Sequence, residues 1–441
     1  ERSRLDVAGD LVLHTARGEV RQQRPSVFQN GRELAGRYRL HGAHEVSFEV
    51  AGYDLRAELV IDPVLSYSTY LGGSGSDEAY GIAVDALGNA YVTGVAAAVN
   101  FSASAVNVNP IGRGGATDAF VAKLSPTGTL VYLTYLGGTA VMGTGGEDDG
   151  RAIQVDAQGN AWVAGRTSSR NLPITGAAFQ RTFMGRWDAF VAQLDPTGAN
   201  LLYSTYLGGD GNDEARGLAI TPAGDVYVAG WSDSWDSFPT TPGAPQRVNS
   251  GGGAFVTKLN RAGSIAYSTY LGGYNWDLAL DIAVDAQGNA WVTGYTSSAD
   301  FPVKDALQST HGGAFAYKST DAGASWTGMK LPEKEHFRLL AVDPANSSNV
   351  YAGTTAGVFR SSDGGATWVA ARTGLTTLYV GTLVIDPRDP ATLYAGTEGG
   401  GIFKSTDRGN RWAPLNAGLD PSHVRALALD PKDPTTIYAG A

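Results

Sequence analysis

At 441 residues the chain exceeds the usual size of a single core, so it holds either two domains or one closed assembly of repeats; its 43% apolar and 17% charged content is that of a folded chain. A net charge of −10 repels polyanions and excludes nucleic acid as a partner over most of the surface, and the lack of cysteine excludes a disulfide scaffold and thiolate metal sites. No apolar run reaches the roughly 18 residues a membrane-spanning helix needs, and the chain opens on Glu1 rather than Met, as expected after removal of a targeting segment or in a piece of a longer protein.

Residues 1–62 alternate apolar and polar positions, with turn signals at "ARGE", "QNGRE" and "HGAH". They predict a small β-sandwich or β-sheet domain whose basic residues form a solvated face. From residue 63 onward the chain repeats itself. "YSTYLGG" at Tyr67–Gly73 returns nearly unchanged at Tyr132–Gly138, Tyr203–Gly209 and Tyr267–Gly273. Between these copies two further phrases keep their order: "GIAVDALGNAYVTG" at Gly81–Gly94 with its three relatives, and "DAFVAKLSPTG" at Asp118–Gly128 with two. In the first unit the strands are expected near Gly81–Val84, Ala90–Gly94, Ala119–Leu124 and Val131–Tyr135, separated by Asp-, Asn- and Gly-bearing hairpins. Four antiparallel strands per unit, repeated radially, describe a β-propeller blade.

From about residue 313 to 441 the wording changes while the strand count does not. "AVDPANSSNVYAGTTAGVFRSSDGGATW" ending at Trp368 returns in a version ending at Trp412, a period of 44 residues, and a third copy begins near Ala426. Residues 63–312 resemble the β-propeller repeats of bacterial secreted proteins, a seven-bladed repeat family. "STDAGASW", "SSDGGATW" and "STDRGNRW" are similar to the Asp-box of sialidases, sortilin-like receptors and xyloglucan-cleaving hydrolases, and residues 1–62 look like the small all-β module that precedes such repeats. The fold class implied is all-β: a seven-bladed propeller of four-stranded antiparallel blades after a small β-domain. Four long blades, two short ones and two strands of a seventh can be counted. The strand at Leu65–Tyr70 is free to complete that last blade and remove its open edge.

Candidate chemistry lies at three kinds of position. The Asp-box resemblance implies an architectural role for Asp321, Asp363 and Asp407, in hairpin turns, and for Trp326, Trp368 and Trp412, packed between sheets. After each LGG stands an aspartate: Asp77, Asp148, Asp213 and Asp277. Four equivalent carboxylates near a channel mouth suit a hard cation such as calcium, and an aspartate in each place equally suits capping its own turn. The long loops 95–117, 166–187, 231–252 and 295–312, with the loops after LGG, emerge on one face and carry Trp187, Trp231, Trp235, Tyr274 and Trp276. Aromatic plates beside Asn, Ser and Asp suit a sugar, a peptide or a protein; the echo of "LPITGAAFQ" in "FPTTPGAPQ" points instead to loops packed on their blades.

Enzyme signatures are lacking. The six histidines form no HExxH, no G-x-S-x-G elbow follows a strand, and the sequence does not assemble Arg151, Arg186 and Arg216 into a sialidase-like triad. The expectation is a secreted or cell-surface bacterial propeller that binds protein or glycan without catalysis. The competing expectations are a carbohydrate-active enzyme, marked by carboxylates clustered on the open face, and a structural subunit of an extracellular assembly that accepts a strand from another chain.

Overall fold

The computed structural model describes residues 2–5, 11–15, 18–22, 27–29, 32–41, 45–54, 56, 59–61, 69–97, 108–111, 114–138, 146–249, 251–301, 314–321, 325–329, 331, 337–416, 423–434 and 436–440. They are all-β, with no helix among them. The chain divides into two compact units, one of Glu1–Thr69 with Pro414–Pro421 and one of Tyr70–Ala413 with Ser422–Ala441.

The first unit holds three small antiparallel sheets. Arg2–Leu5, Leu11–Thr15 and Gly18–Gln22 form one, Val27–Gln29 lies between Arg32–Leu34 and Leu59–Ile61 in another, and Gly36–His41 pairs with Glu45–Val50 as a hairpin. In that hairpin Gly36 and Tyr38 are buried while Arg37, Arg39 and His41 face water, the period of two that a half-buried strand imposes. Arg37 pairs across the strands with Glu49 at 2.8 Å.

The second unit is a β-propeller of seven sheets. Blades 1 to 6 begin with the inner strands Asp77–Val84, Asp148–Val155, Asp213–Ile220, Asp277–Val284, Phe337–Val342 and Val380–Ile385. Blade 7 contributes Ala426–Leu429 and Ile437–Gly440. Inner strands contact one another in succession around the ring, and Ala426–Leu429 returns against Asp77–Val84. Of the strand expected at Leu65–Tyr70, only Thr69 and Tyr70 are described, and neither is in a strand; 65–68 lie outside the described residues.

Blade 1 departs from expectation in two ways. Its inner strand starts at Asp77 rather than Gly81, because a bulge opposite Thr93 and Gly94 carries pairing past the irregularity. Its long loop is not all loop: Val108–Ile111 pairs in parallel with Leu130–Leu136, so blade 1 has five strands. An outermost strand leaves one edge unpaired, and a short apolar segment can satisfy it. At the other extreme, the outer strands of blades 5 and 6 shrink to Val369–Ala370 and Ala413–Pro414.

The core is distributed between blades rather than gathered at one centre. Tyr91 and Ile153 pack with Phe190 and Tyr206 across blades 1 and 2. Val163's neighbours repeat as Val228 with Phe255 and Tyr270, then as Val292 with Tyr317 and Trp326. Each second strand places one large aromatic in this layer: Tyr91, Trp162, Tyr227, Trp291, Tyr351, Tyr394 and Tyr438. Where it is tyrosine, its hydroxyl can reach a hairpin of the next blade, as Tyr91 does to the Gly159 carbonyl at 3.2 Å and Tyr227 to that of Gly288 at 3.1 Å. Those hairpins are the "DAxGN" text. Asp85 accepts the N–H groups of Leu87 and Asn89 at 2.8 and 2.9 Å, and the Asn89 side chain closes on its second oxygen.

Candidate functional site

The LGG turns resolve the role of the aspartates that follow them. Asp213 is fully buried; its Oδ2 accepts the Gly209 N–H at 2.8 Å and the Ser234 hydroxyl at 3.0 Å. Asp148 takes the Gly138 N–H at 2.9 Å and the hydroxyls of Ser169 and Thr167, and Asp277 takes the Gly273 N–H at 2.7 Å and the Ser298 hydroxyl at 2.8 Å. Asp77 repeats the turn contact with Gly73 at 2.6 Å, but its second partner is the Ala97 N–H, because blade 1 reads "GVAAA" where the others offer Ser or Thr. The four carboxylates thus cap separate turns, and among the described residues no group of three or more His, Cys, Asp or Glu is placed to hold a metal ion.

Burial of these carboxylates has an electrostatic consequence. Desolvation pushes Asp213 up to about 7, with the charge of Asp188 adding to it, and pushes Asp148 and Asp188 up to about 6. Asp188 opens the third strand of blade 2 and accepts the N–H groups of Met184 and Gly185. Between Asp188 and Asp213 passes Gly208, the first glycine of LGG; a Cβ there would lie 2.7 Å from Asp213 Oδ2 and 2.9 Å from Asp188 Cγ.

The Asp-box residues take comparable places in blades 4 to 6. Asp363 accepts the Thr367 N–H at 2.8 Å and its hydroxyl at 2.6 Å, Asp407 accepts the Arg411 N–H at 2.8 Å, and Asp321 accepts the Ser325 N–H at 2.8 Å. Trp326, Trp368 and Trp412 are buried, and the Trp412 indole N–H donates to the Ala371 carbonyl at 2.7 Å.

Much of the long-loop text is also structural. Leu172 and Phe238 are buried, and the Gln180 and Gln246 side chains each accept an LGG backbone N–H at 3.0 Å, from Gly208 and Gly272. The echo between the two loops is therefore a packing device. What remains outside it is a set of exposed aromatics and charges on blades 2 to 4.

Trp235, 62% exposed, lines an open cleft of about 470 Å³ between blades 2 and 3, together with Arg186, Asp210, Asn212, Asp233 and Asn249. Gly252 belongs to the same cleft, and its missing Cβ would stand 3.2 Å from Trp276 and 3.3 Å from Trp231. Trp231 and Trp276 meet edge to face at 6.3 Å, and Trp276 continues to Tyr295 at 5.9 Å. Tyr274 stands 72% exposed on the loop after LGG. Trp187 is set apart: it lies beneath the Arg166 guanidinium at 4.3 Å.

Arg166, on the second strand of blade 2, reaches a charged cluster on the inner strands of blades 2 and 3. The buried carboxylates of Asp149 and Glu214 are shared by three guanidinium groups: Arg151 reaches them at 2.9 and 3.3 Å, Arg166 at 2.9 and 3.9 Å, and Arg216 reaches Glu214 at 3.2 Å. Arg151 and Arg216 thus meet through Glu214, with Arg166 as the third arginine, while Arg186 stands in the cleft. The cluster binds blade 2 to blade 3 and commits its carboxylates to guanidinium groups. Trp235 of the cleft was a candidate from sequence; Arg166, Tyr295 and the polar cleft residues Asp210, Asn212, Asp233 and Asn249 were missed, although for the first two a signal existed. Arg166, Trp231 and Tyr295 occupy one place in the repeated "G-x-[TS]-x-S" phrase, directly after the glycines of the second strands.

A family model described as a beta-propeller repeat matches residues 66–101, 202–239 and 266–302, and one described as a domain of unknown function (DUF7948) matches residues 1–64. A xyloglucanase of Hypocrea jecorina is 34% identical over 131 residues, which are 27% of this chain and 14% of that protein, so the chain spans a small part of that relative. Among solved structures, the WD40 repeats of RRP9 cover 84% of this chain and 89% of their own at 10% identity and a TM-score of 0.51. The structure of U3-55K covers 84% and 90% at 9% identity, also at 0.51, and at such identities both likenesses concern the fold alone. The second unit of this chain is a β-propeller whose blades include matched beta-propeller repeats.

Proposed function

We propose that the propeller recognises a glycan in the cleft between blades 2 and 3, as a secreted or cell-surface binding protein. The observation that carries the reading is an exposed indole, Trp235, beside Arg186, Asp210, Asn212, Asp233 and Asn249 in an open cleft of about 470 Å³. A sugar ring offers an apolar face to an aromatic plate and a rim of hydroxyls to amides and charges, so it meets both parts of the cleft at once. Binding to a panel of soluble polysaccharides that includes xyloglucan, followed by affinity electrophoresis, tests this. Trp235→Ala is expected to weaken binding about tenfold or more, as loss of a central aromatic contact does. Unchanged retardation of the variant, or none for the wild type on any polysaccharide, would refute the reading.

The likeness to a xyloglucanase over 131 residues favours a second reading, a carbohydrate-active enzyme. Release of reducing sugar from the bound polysaccharide would establish it, and binding without release would support the non-catalytic one.

A further inference from the structure

We infer that the cleft does not end at Trp235 but is one end of a groove that takes an extended, neutral glycan chain across blades 2 to 4. This rests on the glycan reading of the cleft and goes further in naming the ligand class. Gly252 is the connecting element. It lines the cleft, and its lack of a side chain leaves the backbone against Trp231 and Trp276. Beyond it the rings continue without a gap, Trp231 to Trp276 at 6.3 Å and Trp276 to Tyr295 at 5.9 Å. Trp276 and Tyr295 are 45% and 37% exposed, although their edges pack on one another. A terminal sugar would need only the cleft; the exposed parts of Trp276 and Tyr295 beyond it provide for further rings of a chain. Charge selects among chains. The cleft opposes two carboxylates, Asp210 and Asp233, to the single guanidinium of Arg186, in a protein of net charge −10, so a polyuronate meets repulsion that a neutral chain does not.

The test is calorimetric titration of the whole chain with neutral β-glucan oligosaccharides of increasing length, and with oligogalacturonates of matched length as the acidic counterpart. Affinity for the neutral series is expected to climb with length and to exceed that for the acidic series at every length. Trp276→Ala and Tyr295→Ala are expected to flatten the climb, lowering affinity for the longest oligosaccharide about tenfold while leaving that for the shortest unchanged. Trp235→Ala weakens all lengths. Thermal melting of each variant confirms folding. Length-independent binding that Trp235→Ala still abolishes would overturn the groove and leave the cleft reading standing, as would a length dependence that Trp276→Ala does not alter. Tighter binding of oligogalacturonates would overturn the charge selection, and no binding at any length would overturn the groove together with the reading beneath it.

Discussion

Asp213 shows how a single residue can be read correctly as to place and incompletely as to partners. Its position four residues after the second glycine of LGG is visible in the text, and either a cation or a turn satisfies that pattern. The turn is joined by Ser234, 21 residues away, whose hydroxyl donates to the carboxylate from two residues past the second strand. The result is an acid held in a dry site, and stability should report it. In the unfolded chain an aspartate titrates near its ordinary value of about 3.9, whereas folded Asp213 is pushed up to about 7 by burial. Between those values the folded state holds a proton that the unfolded state lacks, so stability falls as pH rises through about 7. Asp148 and Asp188, pushed up to about 6, act in the same direction. Asp85 acts in the opposite direction at lower pH: burial raises it, but hydrogen bonds from Asn89, Leu87 and Tyr91 outweigh burial and hold it below its ordinary value. Urea midpoints should therefore rise from pH 8 to pH 5 and fall again in stronger acid. Asp213→Asn, which keeps an acceptor for Gly209 and cannot ionise, should reduce the loss between pH 5 and pH 8; an unchanged difference in midpoint would show that Asp213 does not carry it.

At the scale of an element, the outer-strand phrase is legible as a strand. Its two tyrosines are three residues apart, an odd spacing that puts them on opposite faces. Tyr203 donates to the Gly263 carbonyl of the next blade at 2.8 Å, and Tyr206 donates to Ser169 in the loop of its own blade at 2.7 Å. The spacing was in the sequence; the loop that receives Tyr206 was not, since its ordering depends on Leu172 and Gln180 packing back onto the outer strand. The hairpins at Asp363 and Asp407 share a turn and differ at the residue after the aspartate. Their turn needs a residue of positive φ after the aspartate, and Gly364 fills it at φ 72° in blade 5. Blade 6 places Arg408 there, at φ 61°. A side chain in the left-handed region costs about 1–2 kcal/mol, and a glycine at such a position gives back part of that through greater freedom in the unfolded chain. The hydrogen bonds of Arg408, from Arg360 to its carbonyl at 3.3 Å and from its N–H to the Ala391 carbonyl at 2.9 Å, are made by backbone that glycine retains, while its guanidinium charge bears only on the Tyr351 hydroxyl. Arg408→Gly should therefore stabilise the protein by roughly 0.5–1 kcal/mol, seen as a higher midpoint in urea. A lower midpoint would mean that the arginine side chain contributes more than its backbone strain costs.

For the whole molecule, seven blades could be counted from periodicity, because each repeat is one sheet that must cover its faces with neighbours. Closure could not be read the same way, since it depends on residues 350 positions apart: the Tyr438 hydroxyl donates to the Gly88 carbonyl at 2.6 Å. This is the bond that Tyr227 makes to Gly288 in mid-ring, but its setting differs. Tyr227 and Gly288 lie 61 positions apart on consecutive blades, whereas Tyr438 and Gly88 lie 350 apart, so no short stretch of chain holds the seam together when the bond is lost. Tyr438→Phe and Tyr227→Phe delete the same hydroxyl and should each cost roughly 1–2 kcal/mol of global stability. They should differ in where the protein opens. Sub-global opening follows the elements with fewest supporting contacts, so hydrogen exchange in Tyr438→Phe should accelerate selectively in Asp77–Val84 and Ala426–Leu429, the inner strands that meet at the seam. In Tyr227→Phe the flanking sheets should hold, and any acceleration should be spread over the propeller with no excess at Asp213–Ile220 or Asp277–Val284. Equal local acceleration in both variants would mean that closure is as strong as a junction between blades consecutive in the chain.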